Sequence, residues 1–299
     1  MAQSTKIIKR RIGSITNTRK ITKAMELVAA SKMRRAVSSV LGTRPYAQMA
    51  WETITAVSRT VQEVTHPLLE QNKDAKKTLL VLYTSDRGLA GPFNTNMIKA
   101  AYQAISEIEG EVEIVAVGRR GADALRRKNT EVIANFEGLT NKPRFEDILP
   151  IGNLIISRYE AGEYRKVVIA YADFVSALTQ RPKIINLLPL GQPEDAPELG
   201  DLEERKEDIE VPEAKEYIFE PDAQKVLDRI LPRLVETMLY QALLESTASE
   251  HGARMMAMRN ATEAAGDMLT ELKFTYNQIR QASITQEIAE ISSGKAAIE

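Results

Sequence analysis

Residues 255 to 279 read MMAMRNATEAAGDMLTELKFTYNQI. Met255, Met258, Thr262, Ala265, Leu269, Leu272, Tyr276 and Ile279 succeed one another at spacings of three and four, the seam of a coiled coil. Thr262 and Ala265 keep part of that seam thin. Working outward, Pro221 flanked by Glu220 and Asp222 gives a helix start, because proline is tolerated in the first turn and acids suit the positive end of the helix dipole. From there to about Ile291 the internal breakers are Pro232, Gly252 and Gly266. After Ile279 the apolar series moves to Ile284, Ile288 and Ile291, so the stripe leaves the seam and turns toward a different partner.

The other end of the chain is a counterpart. From Ser4 to Leu41 there is no proline, and Ile8, Ile12, Ile15, then Ile21, Met25 and Val28 recur at helical spacings. Such a helix is about 55 Å long at a rise of ~1.5 Å per residue. Gly42 and Pro45 predict a break or kink, with helix resuming from Tyr46 to Val64 and ending at His66-Pro67. Two long terminal helices can bury their stripes on each other in antiparallel fashion, or each can form a separate coiled-coil homodimer arm.

The middle alternates. Thr78–Tyr83, Val112–Val117, Val132–Phe136 and Lys166–Ala172 are short buried-type strands, and Asn94–Glu109, Arg119–Arg127 and Phe145–Ala161 are helical between them. That order predicts a Rossmann-like parallel sheet with covering helices, to which Lys183–Leu190 can add a strand. Beyond Gln192, Glu194 to Glu216 is crowded with acids and interrupted by prolines, the composition of a mobile acidic loop. The expected fold class is therefore α/β plus a long antiparallel coiled coil. Its divisions are an N-terminal shaft helix at 1–66, an α/β domain at 76–191, an acidic loop at 192–219 and a C-terminal shaft helix at 220–299.

Composition narrows the chemistry. Among 299 residues there is no cysteine, which excludes disulfides, thiolate metal sites and a cysteine nucleophile. His66 and His251 fit no metal-ligand spacing and read as ordinary surface or interface histidines. No apolar run reaches the ~18 residues of a membrane span, so no direct lipid insertion is expected. The turn SDRGLAGPFN, Ser85 to Asn94, has neither a GxGxxG nor a GxxxxGK[ST] pattern. Asp86, Arg87 and Asn94 read as caps of that turn rather than as a polar site. No catalytic residues, cofactor or metal is expected.

Charge is distributed unevenly. The formal net charge is −1, yet the first 35 residues set Lys6, Lys9, Arg10, Arg11, Arg19, Lys20, Lys23, Lys32, Arg34 and Arg35 against Glu26 alone. A basic helix without stacking aromatics argues against nucleic acid and for an acidic protein partner. On these grounds the chain is a coiled-coil scaffold docking an acidic partner or an enzyme using its α/β domain.

Three stretches carry a family resemblance. KIIKRRIGSITNTRKITKAMELVAASKMRRA (residues 6 to 36), SDRGLAG after the first strand, and RQASITQEIAEISSG (Arg280 to Gly294) are similar to the gamma subunits of F-type rotary ATP synthases, in order along the whole chain. The chain departs from the family's common pattern at Gly294-Lys295 and at Ala90-Gly91-Pro92. The resemblance implies a non-catalytic central shaft that couples transmembrane proton or sodium flow to ATP synthesis or hydrolysis. It implies as partners the alpha and beta subunits of the head, three copies each, with epsilon and the membrane c-ring. It also implies a peripheral protein on the cytoplasmic face of a bacterial plasma membrane. By position, Met25 and Arg254 resemble the zone facing the acidic levers of the beta subunits, Gln281, Thr285 and Glu287 resemble polar contacts with loops higher in the ring, and Lys32 is a further expected partner-binding residue. Photosynthetic relatives carry a regulatory cysteine pair near the acidic segment, which this chain lacks.

Overall fold

The computed structural model describes residues 2–60, 66–190 and 222–296, so the expected acidic loop and the start of the last helix at Pro221 lie outside the described residues. Helix α1 spans Ala2–Thr60, strand β1 Lys77–Tyr83, α2 Phe93–Glu107, β2 Glu111–Val117 and α3 Arg119–Arg126. They are followed by β3 Val132–Phe136, α4 Leu149–Glu160, β4 Tyr164–Phe174, β5 Gln180–Leu188 and α5 Ala223–Ala296. The chain forms two compact units, one of residues 1–29 with 255–299 and one of residues 30–254.

In the first unit the helices run antiparallel, which decides against separate homodimer arms. Thr262 Oγ1 donates to Thr22 Oγ1 at 2.8 Å, and the Arg19 guanidinium lies over Gly266. The α5 seam is as expected: Met258, Ala265 and Leu269 are buried, and Met255, Thr262, Leu272, Tyr276 and Ile279 are half-buried. The α1 seam differs from expectation. Ile21 and Val28 are 60% and 56% exposed, while Thr22 and Ala29, one position on in each case, are buried. A thin seam admits threonine and alanine and leaves the larger neighbours outside.

The second unit is built on a five-stranded sheet of order β3-β2-β1-β4-β5. β1 to β4 pair in parallel, and β5 turns back antiparallel on β4 through a tight turn closed by Ser176 N donating to Thr179 O at 3.0 Å. The expected extra strand is thus present as an antiparallel edge. Strand side chains alternate between two cores. Leu79, Val81, Tyr83, Val115, Ile169 and Tyr171 face α4 and α5, and Leu80, Leu82, Ile114, Ala116 and Ala170 face α2 and α3.

Of the break or kink expected in α1 the break does not occur: the helix runs through Gly42 and Pro45. Proline removes one backbone donor and crowds the preceding turn, a cost of ~3 kcal/mol in a helix interior. Long-range contacts hold the helix there: Thr43 Oγ1 donates to Gln241 Oε1 and Arg44 pairs with Glu245 at 2.8 Å. The histidines are not at the surface. His66 and His251 are both buried, and His66 Nδ1 accepts from Leu68 N at 3.1 Å to close the turn that enters the α/β domain.

Candidate functional site

In the first unit the basic flank of α1 is open to solvent. Lys6, Lys9, Arg10, Arg11, Arg19, Lys20 and Lys23 are exposed. A groove of about 770 Å³ runs between the helices, lined by Thr16, Arg19, Lys20, Lys23, Ala24 and Leu27 from α1 and by Thr262, Glu263, Leu269 and Lys273 from α5. Its cations stand against Glu263 alone. Glu263 pairs with Arg259 at 3.1 Å and Lys23 with Glu26 at 3.0 Å, both exposed pairs of i,i+4 or i,i+3 type worth little. Met25 is half-buried on α1.

Toward the end of α5, Gln281, Thr285 and Glu287 are exposed, as are Ile284 at 49%, Ile288 at 62% and Ile291 at 75%. Residues 281, 284, 288 and 291 are spaced three and four apart, so Gln281 stands in line with the isoleucines and Thr285 lies one turn from it. Polar and apolar groups thus share one surface.

The remaining two expected contact residues, Lys32 and Arg254, belong to the second unit, where both are already engaged. Lys32 Nζ donates to Asn141 Oδ1 at 2.5 Å. Arg254 Nη1 donates to Glu250 Oε1 at 2.6 Å, and Nη2 reaches the carbonyls of Arg87 and Gly88, each at 3.3 Å. Nη1 also lies 3.3 Å from His251 Nδ1, and since a guanidinium only donates, that nitrogen accepts. Burial first, then the charges of Arg254 and Lys32, hold the His251 imidazole down to about 4, so it is neutral at pH 7. Burial pushes the Glu250 carboxyl up, with Arg254 pulling the other way.

The carboxyl ends of the parallel strands, where α/β folds place ligands, are closed by the chain itself. Asp86 accepts from Arg119 N at 3.2 Å and Gly138 N at 2.9 Å, and Asn94 Oδ1 accepts from Ser85 N at 3.0 Å. Asn94 thus closes its own turn as expected, whereas Asp86 bonds the start of α3 and the loop after β3, and α2 begins at Pro92 with no side-chain cap. Helix α5 also bonds the end of β4 through Glu245, Ser246 and Ser249. Sequence reasoning missed those three residues and Arg44; the available signal was a run of polar residues, Gln241 to His251, on a helix that otherwise reads as core. Among the described residues no group of three or more His, Cys, Asp or Glu could hold a metal ion, and no helix is long and apolar enough to cross a membrane.

Paired antiparallel helices with a thin seam and charged flanks, and an α/β sheet that grips one of those helices where a ligand would sit, define a mechanical helical element. Comparison with known proteins agrees. The family model described as ATP synthase matches residues 4–298. The ATP synthase gamma chain of Pelotomaculum thermopropionicum is 41% identical over 292 residues, covering 98% of each chain. That of Desulfitobacterium hafniense is 41% identical over 296 residues, covering 99% of each. Among solved structures, a chain of the Tetrahymena thermophila mitochondrial ATP synthase central stalk and c-ring matches with a TM-score of 0.59 at 27% identity, over 81% of this chain and 99% of that one. A chain of the Euglena gracilis mitochondrial ATP synthase rotor matches in fold, with a TM-score of 0.64 at 18% identity over 95% and 100%. The chain belongs to the ATP synthase gamma-chain family, the family of the enzyme's central rotor shaft.

Proposed function

We propose that this rotor shaft takes no part in the chemistry of ATP itself and acts by presenting different faces to the catalytic subunits as it turns. Its partners are the alpha and beta subunits of the head, the epsilon subunit and the membrane c-ring, on the cytoplasmic face of a bacterial plasma membrane. Residues 1–66 and 220–299 are its shaft helices, 76–191 the α/β domain and 192–219 an acidic linker. The observation that carries this reading is the surface of the first unit: a helical pair joined by a thin seam, with cations and large apolar groups left outside.

An asymmetric shaft among chemically identical sites makes different contacts with each, and so favours a different conformer at each. Turning the shaft exchanges those preferences. Ile284, Ile288 and Ile291 form the lateral bearing, since apolar contact is non-directional and costs little as an axle turns. Gln281, Thr285 and Glu287 set preferred angles through directional bonds, Met25 and Arg254 belong to the zone facing the acidic levers, and Lys32 is a further partner contact. Non-catalysis is supported by the sheet's carboxyl end, which is filled by α5 and its own caps.

The test is reconstitution of the purified chain with alpha and beta subunits of a close relative. A complex should form and hydrolyse ATP, while the chain alone neither hydrolyses nor binds nucleotide. Micromolar nucleotide binding by the chain alone, or no complex, overturns the reading.

A further inference from the structure

Strand β4 outruns β1. The β1 pairing ends at Leu82 with Ala170, whereas β5 follows β4 to the pair Phe174 with Gln180. On the side where β1 has stopped, Ala172 and Phe174 of β4 have no strand neighbour among the described residues, yet both are buried. Buried backbone groups must find partners. Helix α5 supplies them from side chains: Ser246 Oγ accepts from Ala172 N at 3.1 Å, Ser249 Oγ donates to Ala172 O at 3.2 Å, and Glu245 Oε2 accepts from Phe174 N at 3.2 Å. Side chains of a helix here replace a strand.

The same carboxylate reaches a third element. Glu245 Oε1 accepts from Arg44 Nε at 3.0 Å and Nη2 at 2.8 Å, and from Gln241 Nε2 at 3.1 Å. Glu245 is fully buried, so its charge depends on these donors.

We propose that Glu245, Ser246 and Ser249 form the torque joint of the rotor, the positioning residues that fix the rotational register of helix α5 against the α/β domain. The inference rests on the rotor reading above. Apolar packing alone resists sliding and turning weakly, and packed helices can shift by one turn between alternative arrangements. This ladder permits one register only. A shift of four residues one way puts Glu250 and Ala253 where Ser246 and Ser249 stand, and leaves Ala172 O without a donor. A shift the other way brings Ala242 and Glu245 there and leaves both Ala172 groups unpaired. Either slip strands a buried backbone group.

The test is made in the complete membrane-bound complex, reading ATP-driven proton or sodium pumping per ATP hydrolysed. The Ser246→Ala/Ser249→Ala double variant should hydrolyse ATP as wild type does without load, and should pump about two- to threefold less per ATP under an opposing gradient. Glu245→Gln, which keeps an oxygen for Phe174 N, should fall between wild type and Glu245→Ala. If the double variant does not assemble, Ser246→Ala and Ser249→Ala alone give the same ratio in graded form. Pumping per ATP equal to wild type in assembled variants overturns the joint. A wild-type complex that neither assembles nor pumps overturns the rotor reading instead.

Discussion

Between Gln241 and Ala253 every residue of helix α5 is buried, whereas between Arg280 and Ser293 every residue but Ser283 is exposed. One helix therefore has two designs. Where it crosses the sheet it is enclosed on all sides, and Glu245, Ser246 and Ser249 bond to the end of β4; in the first unit only a stripe is covered, and the other faces are open. Secondary structure is the same in both. What differs is how much of the helix its own chain satisfies, and that difference separates a part built to be held from a part built to turn against neighbours.

The largest expected contrast comes from removing a core leucine in each region. Leu239→Ala, at a fully buried position packed among sheet and helices, should destabilise the chain by about 2–5 kcal/mol. Leu269→Ala, in the seam of a two-helix unit with open flanks, should cost about 2 kcal/mol, because such a site relaxes more readily. Thermal unfolding of the two variants checks the order. Equal losses would erase the distinction between the regions.

A second effect is confined to the enclosed region. His251 is held down to about 4 in the fold against an ordinary value of 6.5, so the unfolded chain binds more protons between those values. Stability should accordingly fall as pH drops from 6.5 toward 4, by up to about 3 kcal/mol from this group. His251→Gln should flatten that part of the stability profile. A slope unchanged by the substitution would show that the buried imidazole is not its source.

These two regions were not equally legible in the sequence. The α5 seam, the four parallel strands and the helices between them follow from local periodicity and are found within a few residues of where it puts them. Pro45 was misleading because a local rule was overridden by Arg44 and Thr43 bonding to α5, roughly two hundred residues away in sequence. Helical spacing puts Ile21 and Val28 on the buried stripe, and the thin seam takes Thr22 and Ala29, one position on, instead. The Glu245 ladder was invisible for another reason. It exists because β4 is longer than β1, a relation between strands that no single stretch of sequence contains.

Smaller effects probe the outward-facing region. Met25→Lys adds a charge to the half-buried flank of α1 and should lower ion pumping per ATP while leaving assembly intact, through a new pair worth about 1–3 kcal/mol with an acidic partner. Normal pumping per ATP in that variant would remove Met25 from the contact zone. Thr285→Val should slow ATP hydrolysis by the loss of one directional bond, about 0.5–1.5 kcal/mol, without weakening the complex. Steady-state rates and native gels separate those outcomes, and a weakened complex would make Thr285 part of the bearing.

The rotor reading requires that the α/β domain of the second unit turns during ATP hydrolysis while the exposed end of α5 is held only laterally. It is tested most directly by attaching a probe to the α/β domain, at Leu178 in the exposed β4–β5 turn, and watching single reconstituted complexes during ATP hydrolysis. The account predicts unidirectional rotation that persists, with greater wobble, when the chain is truncated before Ile284. A probe that stays fixed while the complex hydrolyses ATP, or a truncated shaft that turns as steadily as the intact one, would contradict it.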